Sequence, residues 1–181
     1  MVVTRAEVKS HTRITSNDDD AMIDRCIRTA TRLCEKMISG HRQFLTAQYS
    51  VPAREWWCDQ QLKMPRPPLQ SVDAVFYFDE DGVIRTLESN QYVVETSIGQ
   101  PGTIEGIPDI SWPSLESNRH YPIEIRFSCG YGAAADVPDE IKTAVLTVCT
   151  QLYCVRCTID QDVMDAIARY LENAVGYGSY S

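Results

Sequence analysis

The chain has 181 residues, 44% of them hydrophobic, and a formal net charge of −8. That length and apolar share suit a single domain with a real core, and the sign of the charge excludes a protein that grips DNA by counterion release. No run of apolar, uncharged residues is long enough for a membrane-spanning helix, and MVVTRAEVKS lacks the apolar segment of a secretory signal. The expectation is a soluble, non-secreted protein whose seven cysteines, an odd number, are reduced thiols.

Thr4 followed by Glu7 reads as a capping box that opens a short helix through about His11. A longer helix follows "TSNDDDAM", with Ser16 or Asn17 as its cap and Asp18, Asp19 and Asp20 where the helix dipole favours negative charge. Ile23, Cys26, Ile27, Ala30, Leu33, Cys34, Met37 and Ile38 recur at intervals of three and four, one continuous apolar stripe, and Gly40 stands where a C-terminal cap belongs.

From about Gln43 to Cys129 the pattern changes to strand and turn. Phe44 to Val51 reads as a strand, and Val72 to Phe78 as another that turns through Asp79, Glu80, Asp81 and Gly82 into Val83 to Leu87. Tyr92 to Glu95 and Thr103 to Ile107 form a second expected hairpin. Ile123 to Cys129 alternates apolar and polar residues as a half-buried strand does. Pro65-Arg66-Pro67-Pro68 satisfies the PxxP pattern of a polyproline ligand, but it runs directly into an apolar strand. Prolines there suit a stiff approach to the hairpin that blocks stray strand pairing.

Helices return at Pro138, a first-turn proline. Ile141, Ala144, Val145, Val148, Cys149, Leu152 and Tyr153 mark one helix, and Val163, Met164, Ile167, Ala168, Leu171 and Val175 mark a last one from about Gln161 to Ala174. The expected architecture is α+β: N-terminal helices (1–42) and C-terminal helices (136–175) packed into one helical core, a β-rich hairpin insertion (43–135) between them, and a flexible tail (176–181), in a single domain overall.

Gly130-x-Gly132-x-x-Ala135 sits between a strand and a helix, where a dinucleotide fingerprint would, yet Asp136, Asp139 and Glu140 crowd the helix start and Pro138 removes a donor. A strand-to-helix turn is the better reading, and a small enzyme using that turn is the alternative. Cys149, Cys154 and Cys157 do not share a helix face, so the cysteines read as small core hydrophobes and no metal site is expected. The three histidines are scattered and the acids sit at caps and turns, so no catalytic set and no cofactor site is expected. Trp56-Trp57 reads as a loop wrapped over the sheet or, if extended, as a pair whose indoles point to opposite faces, one into the core and one to a second surface or interface. In "AVGYGSYS", Gly176 and Gly178 space Tyr177 and Tyr180 so that the rings could dock on a partner.

Taken in order, the segments "TRAEVKSHTRI", "SNDDD", "MIDRCIRTATRLCEKMISGHRQFLTAQYSV", "LKMPRPPLQSVDAVFYFDEDG", "YVVETSIGQPGTI", Trp112-Pro113, "IEIRFSCGYG" and "VPDEIKTAVLTVCTQLY" resemble the head–tail connector (adaptor, or head completion) proteins of long-tailed double-stranded DNA bacteriophages, over nearly the whole chain. The resemblance implies a non-enzymatic virion protein of the neck, assembled in the bacterial host cytoplasm. It implies a homo-dodecameric ring on the portal protein that extends the DNA channel and presents a platform to a stopper or tail-completion protein. Genomic DNA would pass through the lumen without specific binding. The other neck role, that of a stopper itself, is the alternative within the same apparatus. In the family the C-terminal segment engages the portal, which singles out Gly176, Tyr177, Gly178 and Tyr180; the ending here lacks the proline–aromatic close common in relatives.

Overall fold

The computed structural model describes residues 1–38, 41–57, 61–96, 101–108, 111–155 and 160–175. The chain divides into two compact units: a helical unit built from Met1–Leu45 with Tyr131–Ser181, and a β-rich unit, Thr46–Gly130.

In the helical unit, α1 (Arg5–Thr12) and α2 (Asp20–Met37) come from the N-terminal segment, and α3 (Asp139–Val155) and α4 (Gln161–Ala174) from the C-terminal one. Helix α1 has the expected capping box: the Glu7 amide donates to Thr4 Oγ1 at 3.2 Å and the Thr4 amide donates to Glu7 Oε2 at 2.6 Å. The Thr4 hydroxyl, which donates to Glu7 Oε2 at 2.6 Å, and then the Thr4 amide hold the Glu7 carboxyl below its usual range. Helix α2 begins later than Ser16 or Asn17 would place it. Ser16 and Asp18 bond each other instead, through Oγ to Oδ2 at 2.5 Å and the Asp18 amide to Ser16 Oγ at 3.1 Å, and the N-cap is Asp19. Its proposed cap Gly40 lies outside the described residues. Ile23, Cys26, Ile27, Ala30 and Cys34 are buried, with Leu33 and Met37 packed beside them, so the apolar stripe faces the core. Helix α3 supplies Ile141, Ala144, Val145, Val148 and Cys149 to the same core, and α4 supplies Ile167 and Leu171. Val2 and Val3 are also buried there.

In the β-rich unit, β1 (Ala47–Ala53), β3 (Leu69–Phe78), β4 (Ile84–Thr86) and β7 (Ile123–Cys129) make an antiparallel sheet of order β1-β7-β3-β4. A three-stranded sheet, β2-β6-β5, comprises β2 (Leu62–Lys63), β5 (Tyr92–Glu95) and β6 (Thr103–Gly106). Strand β7 shows the expected period of two: Ile123, Ile125, Phe127 and Cys129 are buried while Glu124, Arg126 and Ser128 face the other side. Both expected hairpins form, with Phe78 opposite Ile84 and Val94 opposite Ile104. Buried residues of both sheets, Val75, Ile125 and Ile104 among them, close a second core together with Met64, which follows β2. Pro67 and Pro68 are buried at the approach to β3, and the Pro68 carbonyl accepts from the Gly130 amide at 2.9 Å. A PxxP ligand would need those rings exposed, so this segment is architecture. No described helix is long and apolar enough to cross a membrane.

Candidate interaction surfaces

The hairpin tip singled out by the sequence is held by hydrogen bonds of its own. Asp79 anchors it: Oδ1 accepts from the amides of Asp81 (3.1 Å) and Val83 (2.8 Å), and Oδ2 pairs with Arg85 Nε at 2.8 Å. The Arg85 bond, then the Val83 amide, hold the Asp79 carboxyl below its usual range. Gly82 takes φ +73, a left-handed value that favours glycine at this turn. Behind the tip, the Glu116 amide donates to the Phe78 carbonyl at 3.0 Å and the Arg119 guanidinium lies 3.5 Å from the Phe78 ring centroid. Glu80 and Asp81 are exposed beside Val83 and Ile84, two large apolar side chains that are 47% and 60% exposed. The tip therefore offers acid and apolar surface together on a rigid turn.

Trp56 and Trp57 do not split between two faces. They follow β1 rather than continue it, so strand alternation does not apply, and both are buried in the second core. Trp56 stacks on Trp112 at 4.8 Å between centroids and meets Trp57 edge-on at 5.7 Å; its indole N–H donates to the Pro113 carbonyl at 2.8 Å. A Cβ on Gly106 would lie 2.5 Å from the Trp112 ring, so that glycine makes room for the cluster. The Trp57 indole N–H has no acceptor among the described residues. Gly176, Tyr177, Gly178 and Tyr180 lie outside the described residues.

The glycine turn is closed by its own carboxylate. Asp136 Oδ2 accepts from the Ala133 amide at 2.8 Å and would lie 2.5 Å from a Cβ on Gly132. A phosphate would have to displace it. Among the described residues no group of three or more His, Cys, Asp and Glu side chains is arranged to hold a metal ion.

Two features of the helical unit are not obvious from core periodicity. Arg42 is fully buried and donates from Nη1 to Tyr131 Oη at 2.9 Å; burial raises the Tyr131 hydroxyl pKa, partly offset by the guanidinium. Alongside, the Phe44 amide donates to Glu35 Oε1 (3.1 Å) and the Tyr131 amide to the Phe44 carbonyl (3.0 Å). Second, the polar face of α2 carries Arg25, Arg28, Arg32 and Lys36, all exposed. The same intervals of three and four that reveal the apolar stripe reveal this ridge on the opposite side. The N-terminal acids are engaged elsewhere: Arg5 grips Asp24 through Nε (3.0 Å) and Nη2 (2.5 Å) and Asp20 through Nη1 (2.7 Å), and Lys9 also pairs with Asp20. Between α3 and α4 lies an apolar groove of about 520 Å³ lined by Ala144, Thr147, Val163, Ala166 and Tyr170, with Asp162 at its rim.

No family model and no curated protein sequence matches the chain. Solved structures do. A chain in the neck of an empty gene transfer agent (GTA) particle, computed with C6 symmetry, superposes with a TM-score of 0.74 at 19% identity, covering 93% of this chain and 89% of that one. A chain in the virion of the native GTA particle gives a TM-score of 0.73 at 19% identity, covering 93% and 88%. One in the neck of the native particle, computed with C12 symmetry, gives 0.69 at 20%, covering 91% and 86%. Across nearly its whole length, this α+β chain shares the fold of chains found in the necks and virions of gene transfer agent particles.

Proposed function

We propose that the protein is a structural subunit of a phage or phage-like neck. It forms a homo-dodecameric ring on the portal protein, extends the DNA channel, and presents a platform to the stopper or tail-completion protein. The observation that carries this reading is the near full-length likeness to a chain from a particle neck computed with C12 symmetry, matched from both sides of the alignment. It agrees with the ordered series of segments that resembles the connector family. The mature protein would reside in the virion neck.

Charge supports a passive channel. The chain is −8 overall, and residues 46–130 hold twelve Asp and Glu against six Lys and Arg. A ring lumen lined by acidic residues would repel DNA phosphates and let the genome slide. A channel found to be lined by lysine and arginine would overturn that part of the proposal.

Tyr177 and Tyr180, spaced by Gly176 and Gly178, are proposed portal contacts. Mixing the purified protein with its portal and imaging the product tests both levels. A twelvefold collar on the portal's outer end is expected, and a protein that stays unattached refutes the connector role. If truncation after Val175 leaves attachment unchanged, the tyrosines are not in the interface.

A further inference from the structure

We propose that the basic ridge of α2 in one copy docks against the α3–α4 face of a second copy. The inference rests on the ring reading and names the surfaces that would close the ring.

The ridge is built from Arg25, Arg28, Arg32 and Lys36. At about 100° per residue these four fall within an arc of about 80°, opposite the buried Ile23, Cys26, Ala30 and Cys34. All four are exposed, and no described side chain forms a hydrogen bond or ion pair with any of them. Like charges at these intervals repel along an isolated helix. The nearby acids make their hydrogen bonds elsewhere: Asp20 and Asp24 pair with Arg5 and Lys9, leaving only a through-space attraction between Asp24 and Arg28, and Glu35 accepts from the Phe44 amide. The ridge therefore has no ion-pair or hydrogen-bond partner among the described side chains, in an otherwise acidic chain.

The complementary surface is on the same unit. The α3–α4 groove is apolar, Tyr170 at its wall is 45% exposed, and Asp162 and Asp165 stand exposed along α4. An arginine combines an apolar stem with a planar cation. Stems laid over Ala166 and Tyr170 would bring guanidinium groups to Asp162 and Asp165, and the Tyr170 ring can also face a cation. The ridge spans twelve residues, about 18 Å, and α4 spans fourteen residues, about 21 Å, so the lengths match.

Symmetry and charge favour a second copy as the occupant. A ring with a rotation axis is closed by two different, complementary patches on every subunit. Residues 1–45 hold eight Lys and Arg against six Asp and Glu, whereas 131–181 hold three against seven. A neighbouring copy thus brings the opposite sign to the ridge. A nucleic acid approaching it would meet the repulsion of a −8 chain.

The test is a charge swap read on the portal template. Three variants are compared with the wild type: Arg28→Glu with Arg32→Glu, Asp162→Arg with Asp165→Arg, and all four together, each checked for native helix content. Ring yield should fall at least tenfold in either double variant and return in the fourfold one, and wild-type yield should fall with salt. Rings formed equally by wild type and R28E/R32E overturn the docking alone. So does a fourfold variant that stays as defective as its parents. If R28E/R32E forms normal rings but loses retention of duplex DNA, the ridge is a DNA contact and the docking is wrong. A wild-type chain that never joins the portal refutes the ring reading itself.

Discussion

Arg42 Nη1 donates to Tyr131 Oη at 2.9 Å, joining the two chain segments that lead out of and back into the helical unit. Arg42 lies near the end of the N-terminal segment, Met1–Leu45, and Tyr131 begins the C-terminal one. The bond therefore ties two positions 89 apart in sequence. A fully buried guanidinium needs its partners, because an unpaired buried cation costs several times what a neutral hydrogen bond returns. Tyr131→Phe should lower stability by about 1–2 kcal/mol in a denaturant titration. Arg42→Ala, which also opens a cavity, should cost about 3 kcal/mol. A neutral effect of both would mean the pair does not secure the segments.

The tryptophan cluster separates packing from hydrogen bonding. Trp56→Phe strips the Pro113 carbonyl of its donor, whereas Trp57→Phe removes an N–H that has no acceptor among the described residues. Trp56→Phe should be the more destabilising by about 1 kcal/mol, with equal losses contradicting the assignment. Chemical denaturation of the two variants reads this directly.

Stability should fall on acidification. Asp20 is held below the usual carboxylate range first by Lys9, Asp24 first by Arg5, and Asp79 first by Arg85. A depressed folded-state pKa gives stability that is present above the unfolded value, near 4, and is lost as pH falls through the folded value. The melting temperature should therefore hold from neutral pH to about 5 and then drop below about 4. Asp79→Asn should remove part of that drop; an unchanged acid limb would contradict the hairpin assignment.

Burial keeps two thiols inert. It pushes Cys34 and Cys149 up to about 12, while Cys154 is exposed. Alkylation at pH 8 followed by peptide mass mapping should label Cys154 in the native protein and reach Cys34 and Cys149 only after denaturation. Fast native labelling of either would place it outside the core.

Much of the fold is legible because periodicity reports burial directly. The stripe from Ile23 to Ile38, the alternation from Ile123 to Cys129 and the turn at Asp79 to Gly82 each bury or expose the residues their spacing predicts. The misses have physical causes. Ser16 and Asp18 satisfy each other locally, which delays α2 and leaves Asp19 at the N-cap position with no side-chain capping bond. Strand β2 is two residues long beside a proline-rich segment and has too few positions to show a period. Trp56 and Trp57 lie past the end of β1, where a rule about strands has no force. Arg42 is buried through Tyr131, a contact from the far side of the insertion that no local window contains. The basic ridge of α2 needed no structure beyond the helix itself, only attention to its polar face.

The central claim is a ring of this chain on a portal, and copy number tests it most directly. Native mass spectrometry of the purified complex with the cognate portal should count twelve copies of this chain per portal ring. A portal that carries none, or a number that varies without a twelvefold maximum at saturating protein, would contradict the connector assignment.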